Sequence, residues 1–298
     1  MAQVPADVFV GLITHPRSRF PQAQGPAGLL ATIAEKLPNE GLSVATNVCS
    51  EDLVTLGQLS LTPQAVRASI AREMELEKQW RKYLNDSPPN FTTRAFLSAR
   101  KASRLLKNAP PWRRSIQESS NAATSLTRLA NIELAHLTVM HHAADSGAPW
   151  ALLLEDDAVA PDPDTFVGDL AEFLIQSHDN ADSLSMMNLS ESFSVEQLGI
   201  QGLLRQQVQK SPTNWPSRVS AKHVTNTVCA VLYQRDFLVT LLSIIDRIPL
   251  EPVVPIDFKI NDALMRGEGQ LPGNTWVCSP APLIQNSGLP QATTRFTS

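Results

Sequence analysis

Val8-Phe-Val-Gly-Leu-Ile13 is a short apolar run rich in strand-forming residues, and the polar stretch Thr14-His-Pro-Arg-Ser-Arg19 closes it. That pattern predicts a buried strand running into a loop. Over 27–37 the apolar positions return at helical spacing until Pro38-Asn-Glu-Gly41 stops them, and Ser43–Cys49 reads as a second strand. Strand, helix and strand in that order predict a parallel α/β sheet with helices on its faces.

The alternation then breaks. Residues 63–84 and 93–108 read as two helices joined by Asp86-Ser-Pro-Pro-Asn90, an insertion between sheet strands. A further helix is predicted over 122–145, capped near Asn121. Trp150-Ala-Leu-Leu-Leu-Glu-Asp-Asp-Ala-Val159 follows, an apolar strand that ends on three carboxylates. Beyond it the pattern predicts a helix at 164–176, strands at Ser183–Asn188 and Asn226–Tyr233, helices at 235–246 and 257–266, and a last strand at Thr275–Cys278. There is no internal repeat, and the 22 prolines are scattered among loops and helix starts. The expectation is one domain over 1–298 with a helical insertion at about 60–118.

Composition adds little until it is divided. With 43% hydrophobic and 18% charged residues in 298, the chain can bury a sizeable core and is not of disordered type. The net charge of −4 conceals two blocks. Residues 60–118 hold 12 Lys and Arg against 5 Asp and Glu, whereas 119–200 hold Arg128 alone against 13 acidic residues. The acidic block is expected to gather around the strand end at 155–157. The basic helix at 93–108, with Arg94, Arg100, Lys101, Arg104 and Lys107 beside Phe96 and Leu97, suits an anionic membrane surface, an acidic acceptor, or a plain solvated face. No motif or aromatic pattern supports nucleic-acid binding.

Cys49, Cys229 and Cys278 lie far apart with no paired spacing, which predicts free thiols in a reducing compartment. The N-terminus lacks a basic start before its apolar run, and no window approaches the ~18 consecutive apolar residues of a spanning helix. A cytoplasmic protein, peripheral to the membrane at most, is expected.

Glu155-Asp156-Asp157 is the passage with chemistry in it. Adjacent carboxylates at the end of a buried strand repel one another and are costly to desolvate. A divalent cation such as Mg²⁺ or Mn²⁺ would neutralise them, and in open α/β sheets ligands bind beyond the carboxyl ends of strands. The alternative is a solvated acidic turn leading to Pro161-Asp-Pro163. Glu155 and Asp157 point to one side only if the backbone stays extended through the three residues.

The run from Leu129 to Pro161 resembles glycosyltransferase family 25, the lipooligosaccharide and collagen galactosyltransferase type. In that family a helix carrying Ser-His precedes an apolar strand ending in Glu-Asp-Asp; here Ala135-His136 and Leu152-Leu-Leu-Glu-Asp-Asp157 stand in those places. Asn226–Tyr233 with Arg235–Leu242, Pro255-Ile-Asp257 and Pro282-Leu-Ile-Gln-Asn-Ser287 are similar to later family segments in the same order. Val8–Arg19 stands where the family has its first strand and nucleotide-contacting loop.

The resemblance implies a GT-A fold, a mostly parallel sheet flanked by helices. It implies a metal-dependent inverting transferase that takes a sugar from a nucleotide-diphospho-sugar, a UDP-sugar foremost, to a glycan or lipid-linked hydroxyl acceptor. Mn²⁺ or Mg²⁺ would sit on Asp157, with Glu155 or Asp156 reaching the metal or the ribose. A non-catalytic module that keeps the fold for binding or scaffolding is the alternative. Asp257 is the family-placed candidate for the base that deprotonates the acceptor, or else a helix N-cap. Glu191, just past the strand at 183–188, is the rival base or an exposed loop carboxylate. Asn188 would contact the sugar or make a local turn. Arg17 and Arg19 suit a diphosphate, or are solvated loop residues. His136 is a satisfied core histidine or a ligand.

Overall fold

The structure is a computed structural model that describes residues 6–14, 26–49, 63–84, 116–177, 184–191, 215–220, 222–225, 228–248 and 254–285. Arg17, Arg19, the expected helix at 93–108 and Asn226 lie outside the described residues.

The apolar run at the start forms β1 (Val8–Ile13), buried along its whole length. It is buried because it lies inside the sheet, parallel to β2 (Val44–Cys49) on one side and to β3 (Trp150–Glu155) on the other. Both of its faces are covered by helices, which is why no polar alternation shows in its sequence. Val8, Val10 and Leu12 face a core closed by α1 (Pro26–Lys36) and α4 (Pro163–Ser177). Phe9 and Ile13 face the opposite core, closed by α3 (Ile116–Asp145), α5 (Arg235–Ile245) and α6 (Ile256–Arg266). Each fully buried side chain of this size contributes about 1.5–3 kcal/mol, so the two cores outweigh any local helix propensity.

The central sheet has seven strands in the order β2-β1-β3-β8-β5-β9-β7, with β5 at Leu184–Asn188, β7 at Ser217–Ser220, β8 at Ala230–Gln234 and β9 at Asn274–Cys278. The expected α/β architecture with a mostly parallel sheet is present. Two strands run against the rest: β8, between β3 and β5, and β7 at the edge beside β9. A smaller sheet, β4 (Ala158–Val159), β10 (Leu283–Gln285) and β6 (Ser190–Glu191), lies at the end of β3 and β5.

Three local expectations are corrected. The long helix begins at Ile116, so Asn121 lies inside it and does not cap it. The strand expected at Asn226–Tyr233 begins at Ala230 and runs through Gln234, whose side chain accepts a hydrogen bond from the Phe237 N–H at 3.2 Å and caps α5. In α6 the cap position is Pro255, and Asp257 lies in the first helical turn. There its charge suits the helix dipole.

Of the basic block, α2 (Pro63–Leu84) is described and docks on α6, where Arg72 Nη2 donates to Asp262 Oδ2 at 3.0 Å. Asp262 also accepts from Arg266 Nε at 2.9 Å. No described helix is long and apolar enough to cross a membrane.

The acidic block does not collect at one place. Glu133 is paired with Lys259 at 2.9 Å inside the core, and Asp164 meets Lys36 at the surface at 2.8 Å. Asp162 accepts from the backbone and hydroxyl of Thr165 at the start of α4. These positions have their own local work at helix starts and between helices, and the strand end keeps Glu155, Asp156 and Asp157.

Candidate metal centre

β3 delivers Glu155 to the carboxyl edge of the sheet opposite Ile13, the last residue of β1. The backbone then turns at Asp156 and Asp157 before β4 begins, so the extended backbone that would put both side chains on one side is absent. Glu155 and Asp157 converge nonetheless. With Cys229 they place one potential ligand atom each within 4.8 Å of one another. Asp156 occupies the same turn, half-buried, and is not part of that group.

Cys229 arrives because β8 runs antiparallel to β3. The residue just before a reversed strand lies at the end of its neighbour, and the Glu155 N–H donates to the Cys229 carbonyl at 2.7 Å. The thiol donates to Asp157 Oδ1 at 3.3 Å, and Gln285 Nε2 from β10 donates to Asp157 Oδ2 at 3.2 Å. On the helical side, His136 of α3, 2% exposed, places Nε2 2.7 Å from Glu155 Oε1. Ser190 Oγ accepts from the Ala230 N–H at 3.0 Å and so anchors β6 beside the start of β8.

Electrostatics single out Asp157. Burial and, after it, repulsion from Glu155 push its pKa up to about 7, against the hydrogen bonds from Cys229 and Gln285. Among the described residues neither Glu155 nor Asp157 is paired with a Lys or Arg. Burial, followed by the nearby Asp157 and Glu155 charges, raises the Cys229 thiol well above its ordinary range. The group is therefore two carboxylates beside a protonated thiol that serves as donor. Two carboxylate oxygens held this close, with no Lys or Arg paired to them among the described residues, could hold a metal ion.

The other expected residues are distributed as follows. Glu191 lies in β6, where its backbone pairs with Ile284, the neighbour of Gln285. Thus the small sheet brings Glu191's backbone next to the strand that holds Asp157. Asn188 ends β5, is 1% exposed, and donates through Nδ2 to the carbonyls of Val224 at 3.0 Å and Trp276 at 3.4 Å. Its donors tie three segments together at the sheet edge. Asp257 lies two residues before Lys259 on α6, and Lys259 reaches Glu133 on α3, one turn before His136.

Of three further residues in the centre, Cys229 and Gln285 carry no distinctive sequence signal for it. Cys229 read as a packed thiol, Gln285 was only part of a family-like tail, and His136 had a core role as its plainer reading. His136 had a usable signal, since a histidine on an apolar helix face near a carboxylate strand needs a buried partner.

No family model matches this chain, and no curated protein matches it significantly.

Proposed function

We propose that the chain is a metal-dependent inverting glycosyltransferase of GT-A type. It moves a sugar from a nucleotide-diphospho-sugar, a UDP-sugar foremost, to a hydroxyl of a glycan or lipid-linked acceptor. The observation that carries this reading is the convergence of Glu155 and Asp157 at the carboxyl end of β3, with no Lys or Arg paired to either among the described residues. Ligands of open α/β sheets bind at that edge.

Glu155 and Asp157 would hold Mn²⁺ or Mg²⁺, which when bound offsets the negative charge that develops on a departing diphosphate. Asp156, in the same turn, is the candidate for the ribose. Glu191 and Asp257 are the candidate bases for the acceptor hydroxyl, and Glu191 is supported by its place in the small sheet beside β10. Arg17 and Arg19 would follow β1, whose last residue pairs with Glu155.

A second reading, a GT-A-like module that binds without turnover, is favoured by the two neutral donors, Cys229 and Gln285, that satisfy both Asp157 oxygens without a cation. Calorimetry with UDP, with and without Mn²⁺, on the wild type and Asp157→Ala separates these readings. Metal-linked UDP binding lost in the variant, together with Mn²⁺-dependent hydrolysis of a UDP-sugar, supports the transferase. UDP binding without hydrolysis supports the module, and absence of metal-linked binding removes the transferase.

A further inference from the structure

We propose that His136 is a positioning residue for the metal centre, fixing the Glu155 carboxylate for the cation; the inference rests on the metal reading of Glu155 and Asp157. His136 is 2% exposed, and its Nε2 lies 2.7 Å from Glu155 Oε1. With an ionised carboxylate as partner, Nε2 carries the hydrogen and donates it. A carboxylate held through one oxygen has its rotation arrested and presents the other oxygen in a set direction. Partners of this kind, standing one bond behind a ligand, typically change metal affinity by about 10- to 100-fold when removed.

The helix that carries His136 is itself held on two sides. At Gly11 of β1 an added Cβ would overlap Val139 Cγ1 and approach Leu153 Cδ2 to 2.9 Å, so α3 rests on the sheet at a spacing only glycine permits. One turn before His136, Glu133 is 1% exposed and accepts from Lys259 Nζ of α6 at 2.9 Å. The imidazole therefore sits on a support that cannot slide along or lift from the sheet without breaking a buried ion pair. An ordinary core histidine needs only some hydrogen-bond partner. This one is spent on a carboxylate that the fold has already brought within 4.8 Å of two other potential ligand atoms.

The test compares two polar replacements of similar cost to folding. In His136→Gln the amide nitrogen can take the place of Nε2 and reach Glu155; in His136→Asn it takes the place of Nδ1 and falls short. Mn²⁺ affinity of the full chain is measured by the paramagnetic resonance of free aqueous Mn²⁺, with thermal melting of each variant alongside. The expected result is binding by wild type, a loss of about 10- to 100-fold in His136→Asn, and recovery of most of it in His136→Gln at similar melting temperatures. Equal affinity in all three overturns the positioning role while the metal reading stands. Equal losses in both variants, following their melting temperatures, overturn it as well, because a purely structural histidine behaves so. If wild type binds Mn²⁺ no better than Asp157→Ala, the metal reading fails and this inference with it.

Discussion

The Cys229 thiol donates to Asp157 Oδ1 at 3.3 Å across 72 positions of sequence. It does so as a protonated group, since burial and the neighbouring carboxylates raise its pKa well above the ordinary thiol value. Cys229→Ser keeps a donor at this place, so the serine variant should bind Mn²⁺ within a few-fold of wild type. In Cys229→Ala, Asp157 loses one of the two hydrogen bonds that favour its ionised form, and affinity should fall by roughly tenfold. Titration of both variants by calorimetry distinguishes a donor from a thiolate ligand, for which both replacements would fail alike.

Asp157 makes the metal-free protein's stability depend on pH. Its native pKa is pushed up to about 7, first by burial and then by Glu155, from an ordinary 3.8. As pH rises through this interval the unfolded chain has already released the proton that the native state retains. The native state binds more protons, and this residue's contribution to stability falls with rising pH until it levels above about 7. Asp157→Asn cannot ionise. Urea melts at pH 4.5, 6 and 8 should therefore show the asparagine variant gaining on wild type as pH increases, and saturating Mn²⁺ should restore wild type above pH 7. A stability difference independent of pH would contradict the shifted carboxyl.

The Lys259–Glu133 pair links α6 to α3, with side chains 6% and 1% exposed. Removing one partner of a buried pair costs about 3–5 kcal/mol, because the remaining charge has lost its counter-charge. Lys259→Met should show that loss in chemical denaturation. Lys259→Met combined with Glu133→Leu should recover most of it, since an apolar pair of similar volume has no charge to desolvate. Additive losses would show that the pair is not the source of the cost.

Gly11→Ala tests the seat of α3. The new methyl would overlap Val139 Cγ1 and press on Leu153 in a filled core, an overpacking cost of about 1–3 kcal/mol by urea unfolding. Val139→Ala in the same chain should relieve part of it. A double variant less stable than the sum of the single losses would place the contact elsewhere.

The long apolar runs were legible because burial on both faces leaves a continuous hydrophobic signature, as at Val8–Ile13 and Trp150–Glu155. The four short strands were not. Ala158–Val159, Ser190–Glu191, Ser217–Ser220 and Leu283–Gln285 are two to four residues long and exist through backbone pairing with distant partners, which no local period reports. The start of the long helix was misplaced for a related reason: Asn121 is a good cap by type, but the helix passes through it from Ile116.

Sequence by itself determined that an apolar strand ends on Glu155, Asp156 and Asp157, and that the chain alternates strands with helices around it. It determined nothing about the company those carboxylates keep. An apolar strand has the same pattern in either direction, so only tertiary pairing could decide that β8 runs against β3 and brings Cys229 to the Glu155 backbone. Likewise, only the packing of α3 at Gly11 and the pairing of β10 with β4 set His136 on Glu155 and Gln285 on Asp157. Local periodicity records which face is buried; strand direction and helix seating are settled by contacts between residues far apart in the chain, and the centre is made of those contacts.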